Sequence, residues 1–253
     1  MTKLSIIIPF FNEVDNACKL EADFYPAVQE LFQNENLPAG HIEAIEIIFV
    51  DDGSKDKSLE EFNKITTKHT NSKLSSLFIK HPVNQGLGAA LRSGFAAANG
   101  DIIVTTDVDG TYKFAEIPDL LAYLTPEVDI VTASPYHPDG QVVGVPVYRL
   151  LLSRSSSFIY QILVSKQIHT YTSLFRAYRS QVIKDIQFNS NGFLAGTELL
   201  VKAILKGYLV REYPAVLYRR AYGTSKAKLF KTVMAHLKFL FKISIHKLGF
   251  NSV

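Results

Sequence analysis

The segment Ile102-Ile103-Val104-Thr105-Thr106 runs directly into Asp107-Val108-Asp109-Gly110. Two carboxylates one residue apart, at the end of a buried β-branched run, are hard oxygen ligands suited to Mg2+ or Mn2+. A cation that keeps open positions there can bridge to diphosphate oxygens, and a diphosphate leaving group needs that neutralisation as its bond breaks. The competing reading is a solvated turn that happens to carry two acids. Position favours the chemical one, because this is the fourth of a series of strand ends, and earlier ones also carry acids.

Strand one ends in Pro9-Phe10-Phe11-Asn12-Glu13 and strand two in Asp51-Asp52-Gly53-Ser54. Carboxylates at the tips of parallel strands face the ligand crevice, where they can accept hydrogen bonds from a nucleobase N–H or a ribose hydroxyl. The same Asp-Gly-Ser-Lys-Asp stretch is also a good turn and helix-cap sequence. The third tip, His81 to Gly88, opens a helix with Gly86 and Gly88. Glycines there allow close backbone approach, and free N–H groups favour an anion. It lacks the third glycine of a dinucleotide fingerprint and the Gly-Lys-Ser/Thr of a P-loop.

Elements in alternation must hold these tips together. Leu4 to Pro9, Ile45 to Val50, Leu74 to Ile79, Ile102 to Thr106 and Val128 to Thr132 read as short strands covered on both faces. Helical patterns lie at about Val14 to Gln33, Lys57 to Lys68 and Gly88 to Asn99. The order predicts an α/β fold with a mostly parallel sheet and right-handed crossovers. Further on, Val147 to Lys166 and Glu198 to Lys206 read as helices, and Leu209 to Tyr218 as extended around Pro214. With 253 residues, 47% of them hydrophobic, and a mean hydropathy of +0.09, the chain can bury a large core and is not disordered. A single cysteine, Cys18, excludes an internal disulfide framework and a cysteine zinc cluster. The N-terminal run reads as a strand and not as a signal peptide, and no apolar stretch reaches the roughly 18 residues of a span.

These pieces together resemble the family 2 glycosyltransferases of the GT-A fold, in the branch of dolichol-phosphate mannosyltransferase and polyprenyl-phosphate glycosyltransferases. The carriers are SIIIPFFNE, IIFVDDGSKD, NQGLGAALRSGFAAANGDIIVTTDVDGTY, TSLFRAYRS, ELLVKAILKGYLVREYP and RAYGTSK, spread over residues 5 to 226. The resemblance implies one Rossmann-like GT-A domain over residues 1–225, followed by a helical segment over 226–253. It implies that Pro9, Phe11, Glu13, Asp51, Asp52 and Gly86 surround the nucleotide, and that Asp107 and Asp109 hold the metal and donor diphosphate. Arg149 with Ser153, Arg176, and Arg220 with Lys226 are then the acceptor-side and phosphate contacts. Positions 149 and 153 share a helix face, and guanidinium with ammonium is a sound phosphate pair. The chain departs from the branch at Thr111, where a glutamine is common, at Ser134-Pro135, where Ser-Arg is usual, and at Thr170 and Leu174, which replace an Asp and a Gly.

The implied reaction is inverting transfer of a sugar from a nucleotide-sugar to a polyprenyl or dolichyl phosphate. A lipid phosphate is already anionic and attacks without a base. An acceptor hydroxyl would instead need a carboxylate, for which Glu198 is the candidate. Its alternative role is a helix-start acid favoured by the macrodipole. Retention of the fold by a nucleotide-binding relative without transfer activity is a third option.

The last 41 residues bear on the partner. Residues 1–212 hold 19 basic and 24 acidic side chains, whereas residues 213–253 hold 8 basic and none acidic. On a helical wheel Phe230, Val233, Met234, Leu237, Leu240 and Phe241 share one face, opposite Lys228, Lys231, Lys238 and Lys242. That pattern fits a helix lying on an anionic membrane, and it fits equally a terminal helix packed on its own domain or one that mediates a homodimer. The expected place is peripheral, at the cytoplasmic face of a membrane. The basic end has no aromatic-interleaved platform for nucleic acid.

Overall fold

The computed structural model of the chain describes residues 2–220 and 229–247. In chain order its elements are β1 (Thr2–Phe10), α1 (Ala17–Lys19), α2 (Tyr25–Gln33), β2 (Ile42–Asp51), α3 (Ser58–Thr67), β3 (Leu74–Lys80), α4 (Leu87–Ala97), β4 (Ile102–Thr105), α5 (Ile117–Ala122), β5 (Ile130–Ser134), β6 (Gln141–Val143), α6 (Val147–Leu163), β7 (Arg176–Arg179), α7 (Ser180–Asp185), α8 (Ala195–Leu205), β8 (Val210–Pro214), β9 (Val216–Tyr218) and α9 (Leu229–Lys247).

The main sheet has seven strands in the order β3-β2-β1-β4-β7-β5-β8. Strands β3, β2, β1 and β4 run parallel, as do β5 and β8, while β7 lies antiparallel between β4 and β5. A separate parallel pair joins β6 to β9. This is a GT-A arrangement, a mostly parallel sheet flanked by helices, as the alternating pattern predicts. The register sets the carboxyl ends level. Phe10 pairs with Asp51, and Ile7 with Thr105, so the segments after β1, β2 and β4 open onto one crevice.

Two details differ from the sequence expectation. Val14 to Gln33 is helical throughout, as expected, but its winding changes from a 3-10 turn through α1 and a π turn over Leu20–Phe24 to α2. Pro26 accounts for the π turn, because it has no N–H to donate back to residue 22 and its ring crowds that carbonyl. Strand β7 falls inside the TSLFRAYRS segment, where two arginines hide the apolar run that marks a buried strand.

The core lies on both faces of the sheet. One cluster packs Ile6, Ile8, Ile47 and Phe49 against α2 and α5 through Val28, Leu31, Leu120 and Leu121. A second joins Tyr160 of α6, Leu199 and Leu200 of α8, and Phe239, Leu240 and Ile243 of α9. Helix α9 therefore packs on its own chain through His236, Phe239, Leu240 and Ile243, an i, i+3, i+4, i+7 set. Of the apolar face expected for it, Leu240 is buried, whereas Phe230, Met234, Leu237 and Phe241 are exposed. The helix carries two apolar stripes, and the one containing His236 docks. Lys231, Lys238 and Lys242 are exposed, and Lys228 lies outside the described residues. Among the described residues no helix is long and apolar enough to cross a membrane.

Candidate active site

The turn after β4 is anchored by the buried Val108 and reversed at Gly110, whose φ of 74° suits glycine. It presents Asp107 and Asp109 to a cavity of about 690 Å3 that also meets Arg149, Ser153, Arg220 and Phe193. Burial, then the neighbouring Asp109 carboxylate, hold Asp107 well above the usual carboxylate range, while Arg220 pulls the other way. Asp109 is tied from several sides. Its Oδ1 accepts the Thr111 N–H at 2.9 Å, its carbonyl accepts Lys19 Nζ at 2.9 Å, and its Oδ2 lies 2.7 Å from Arg220 Nη2. The other arm of Arg220 donates to Glu13 Oε1 at 3.1 Å. Asn16 Nδ2 donates to Glu13 Oε2 at 2.6 Å, and the Glu13 N–H donates to Ser58 Oγ at 2.7 Å. Arg220 thus stands with the donor-side carboxylates. Lys19, which sequence reasoning missed, joins them from α1, and a lone lysine in a helical pattern gives no signal of it.

The two aspartates after β2 do different work. Asp52 is consumed internally, since its carboxylate accepts the Gln85 and Gly86 N–H groups at 2.9 and 2.8 Å and sits 2.7 Å from His81 Nδ1. His81 Nε2 in turn reaches Ser93 Oγ at 2.9 Å. Asp51 accepts the Ser54 N–H on Oδ1 at 2.7 Å, while its buried Oδ2 has no hydrogen-bond partner among the described residues. A buried carboxylate oxygen left unpaired is costly, and Asp51 is fully buried at the end of β2, outside the cavity wall. Pro9 is buried at the end of β1, and Phe11 is half-buried beyond it.

Gly86 does not serve as an open phosphate cradle. Its N–H is taken by Asp52, and the Gly88 N–H donates to Asn191 O at 2.8 Å. A Cβ on Gly86 would fall 2.3 Å from Asn191 O, and one on Gly88 2.0 Å from Ser190 O. The glycines are needed because the 190–191 backbone crosses directly over them.

Two further expectations are corrected by the geometry. Arg176 is fully buried, donating from Nε to Thr132 Oγ1 at 3.0 Å, from Nη2 to Tyr171 O at 2.8 Å, and from Nη1 to Gly196 O. It stitches β5, the 170s loop and the start of α8, and has no surface to offer an acceptor. Glu198 is also buried. It accepts the Asn189 and Ser190 N–H groups at 3.1 and 2.9 Å and pairs with Lys202 at 3.0 Å. It lies outside the cavity wall and has a cap's role, not that of a poised base.

The acceptor-side pair on α6 does reach the cavity. Arg149 and Ser153 line it one helical turn apart, with Ser153 Oγ 2.7 Å from Thr172 Oγ1 and Arg149 set over the Tyr148 ring. Lys226 lies outside the described residues. Helix α9, packed beside α6, also lines the cavity, and its buried His236 meets Tyr160 Oη at 3.0 Å. Burial lowers the His236 pKa to about 4, so the pair is a neutral hydrogen bond at physiological pH. Tyr112 and Ser173, also unsuspected from sequence, meet under the cavity at 3.3 Å.

Residues 5–187 match the family model described as glycosyl transferase family 2. The chain is 30% identical over 243 residues to a dolichol-phosphate mannosyltransferase of Pyrococcus furiosus, covering 95% of this chain and 63% of that protein. It is 28% identical over 235 residues to a polyprenol monophosphomannose synthase of Mycolicibacterium smegmatis, covering 87% and 79%. Among solved structures, a mannosyltransferase of Pyrobaculum calidifontis in complex with GDP-Man and Mn2+ superposes with a TM-score of 0.64 at 17% identity, over 97% of this chain and 64% of that one. The chain spans under two thirds of the length of the Pyrococcus furiosus relative. With the family model covering most of its length, the chain belongs to glycosyl transferase family 2.

Proposed function

We propose that this protein transfers a sugar from a nucleotide-sugar to a polyprenyl phosphate, with inversion at the anomeric carbon. The names of both relatives make mannose the first sugar to test. The observation that carries the reading is one cavity holding the Asp107 and Asp109 carboxylates on its floor and Arg149 with Ser153 on its wall.

Asp107 and Asp109 suit Mg2+ or Mn2+, being adjacent hard oxygen donors at the base of the cavity. Among the described residues no third Asp, Glu, His or Cys completes a ligand cluster, so Asp107 and Asp109 are the side chains that would hold the cation. When bound, the cation supplies positive charge against the diphosphate as it leaves. In this reading Asp51 Oδ2, buried and unpartnered without substrate, accepts an N–H of the base or a ribose hydroxyl as the donor seats. Arg149 and Ser153 hold the acceptor phosphate, whose anionic oxygen needs no base, in keeping with the capped Glu198. In-line attack then inverts the centre. Among the described residues that line the cavity, the only carboxylates are the two assigned to the cation, which favours the lipid phosphate over a sugar hydroxyl needing a base.

A membrane-borne acceptor also fits the surface. Phe230, Met234, Leu237 and Phe241 on α9 lie exposed, as do Val147, Leu151, Phe158 and Ile162 on α6. Apolar stripes on two neighbouring helices, with Lys231, Lys238 and Lys242 beside them, suit peripheral contact with an anionic, cytoplasm-facing leaflet. The test is transfer of labelled mannose from GDP-mannose, with UDP-sugars in parallel, into liposomes carrying polyprenyl phosphate. Chelator-sensitive label in the lipid phase is expected. Label appearing only in soluble glycan, or no label with any donor, refutes the proposal.

A further inference from the structure

Arg220 forms ion pairs with two carboxylates of the candidate site. Its guanidinium reaches Asp109 Oδ2 at 2.7 Å and Glu13 Oε1 at 3.1 Å. Both carboxylates are buried, and the arginine itself is largely covered. Strand β9 holds it there, with the Tyr218 N–H on Thr111 O and the Arg219 N–H on Val143 O, both at 2.9 Å. Asp109 Oδ1 and its carbonyl meanwhile accept from Thr111 and Lys19. Carboxylates crowded together need a counter-charge, and Arg220 supplies it from the segment just after β9, in direct contact with Asp109 and Glu13. A cation arriving alone must compete with this guanidinium for Asp109. A diphosphate arriving with it gives the guanidinium a second anion, matched to its fork of donors.

We infer that Arg220 is the resident counter-cation of Asp109, and that its transfer from Asp109 to the donor diphosphate makes divalent-cation binding and nucleotide binding interdependent. The inference rests on the reading of Asp107 and Asp109 as the cation carboxylates. By linkage the coupling is reciprocal, with cation and nucleotide each tightening the other by the same factor.

The test is direct binding of Mn2+, followed by the electron paramagnetic resonance signal of free Mn2+, with and without GDP or UDP. Wild-type protein is compared with Arg220→Gln and with Arg220→Lys, which keeps the charge but not the fork. For wild type, weak binding of Mn2+ alone and a gain of at least about fivefold with nucleotide are expected. For Arg220→Gln, Mn2+ alone should bind at least about fivefold tighter, and the gain from nucleotide should shrink. Arg220→Lys should move both quantities in the same direction by less. Thermal unfolding gives an independent readout, with Arg220→Gln less stable than wild type in chelator and raised more than wild type by Mn2+. Unchanged Mn2+ affinity and unchanged nucleotide gain in both variants would overturn the inference while leaving the carboxylate reading intact. No Mn2+ binding by wild type in any mixture would remove the carboxylate reading, and the inference with it.

Discussion

Glu198 accepts the Ser190 N–H at 2.9 Å, and through it fixes the loop that crosses Gly86 and Gly88. That bond separates two chemistries. A general base contributes about 10²–10⁴-fold to rate, so its removal by Glu198→Gln would abolish most turnover. With Glu198 acting as a cap, Glu198→Gln should keep transfer within about tenfold of wild type while unfolding at lower temperature, because a carboxamide NH2 replaces one buried acceptor at a cost of about 1–3 kcal/mol. Steady-state kinetics beside thermal melts decide it.

Two of the three arginines expected on the acceptor and phosphate side should part company. Arg176→Ala removes three buried hydrogen bonds, to Thr132 Oγ1 and to the carbonyls of Tyr171 and Gly196, and such losses together with the cavity left behind cost about 3 kcal/mol or more. Low soluble yield or a collapsed melting temperature is expected. Arg149→Ala, at the cavity wall, should melt like wild type and lose at least about tenfold in transfer at low acceptor concentration, in line with the strength of charge-assisted phosphate contacts.

Asp51 and Asp52 make a similar contrast. Asp51→Asn keeps the acceptor for Ser54 and exchanges the unpartnered buried oxygen for a donor. Nucleotide affinity measured by calorimetry should weaken about tenfold with little change in melting temperature. Asp52→Ala unties His81, Gln85 and Gly86 together and should appear first as lost stability.

His236 gives the stability a pH signature. Its folded pKa of about 4 lies below the ordinary value of 6.5, so the unfolded chain binds the extra proton between those values. Stability contributed by the neutral form is therefore fully present above about pH 6.5 and falls as pH drops towards 4, by at most about 3 kcal/mol. Denaturant melts of His236→Gln should show a shallower fall than wild type across that window. Parallel curves would mean that the His236 contact with Tyr160 does not carry the effect.

Much of this was legible beforehand, for physical reasons. Strands buried on both faces must be continuously apolar, so β1, β2 and β4 declare themselves, and the acids that follow them sit where parallel strands open. Strand β7 stayed hidden because the donors of Arg176 are satisfied by the Thr132 hydroxyl and the carbonyls of Tyr171 and Gly196, and no local pattern records that. The same holds for Asp52, whose partners lie 29 to 34 residues away. On α9 two apolar stripes compete, and only the shape of α6 and α8 decides that His236, Phe239, Leu240 and Ile243 turn inward. Glycines 86 and 88 signalled close approach correctly, but the approaching group is the chain's own 190–191 backbone.

The most direct measurement offers labelled donor to two liposome preparations that differ in one group, polyprenyl phosphate and the corresponding dephosphorylated polyprenol. An anionic acceptor oxygen held by Arg149 and Ser153 predicts label in lipid extract from the phosphate preparation alone, abolished by Asp109→Ala. Equal labelling of the polyprenol, or transfer that survives Asp109→Ala, would contradict the account.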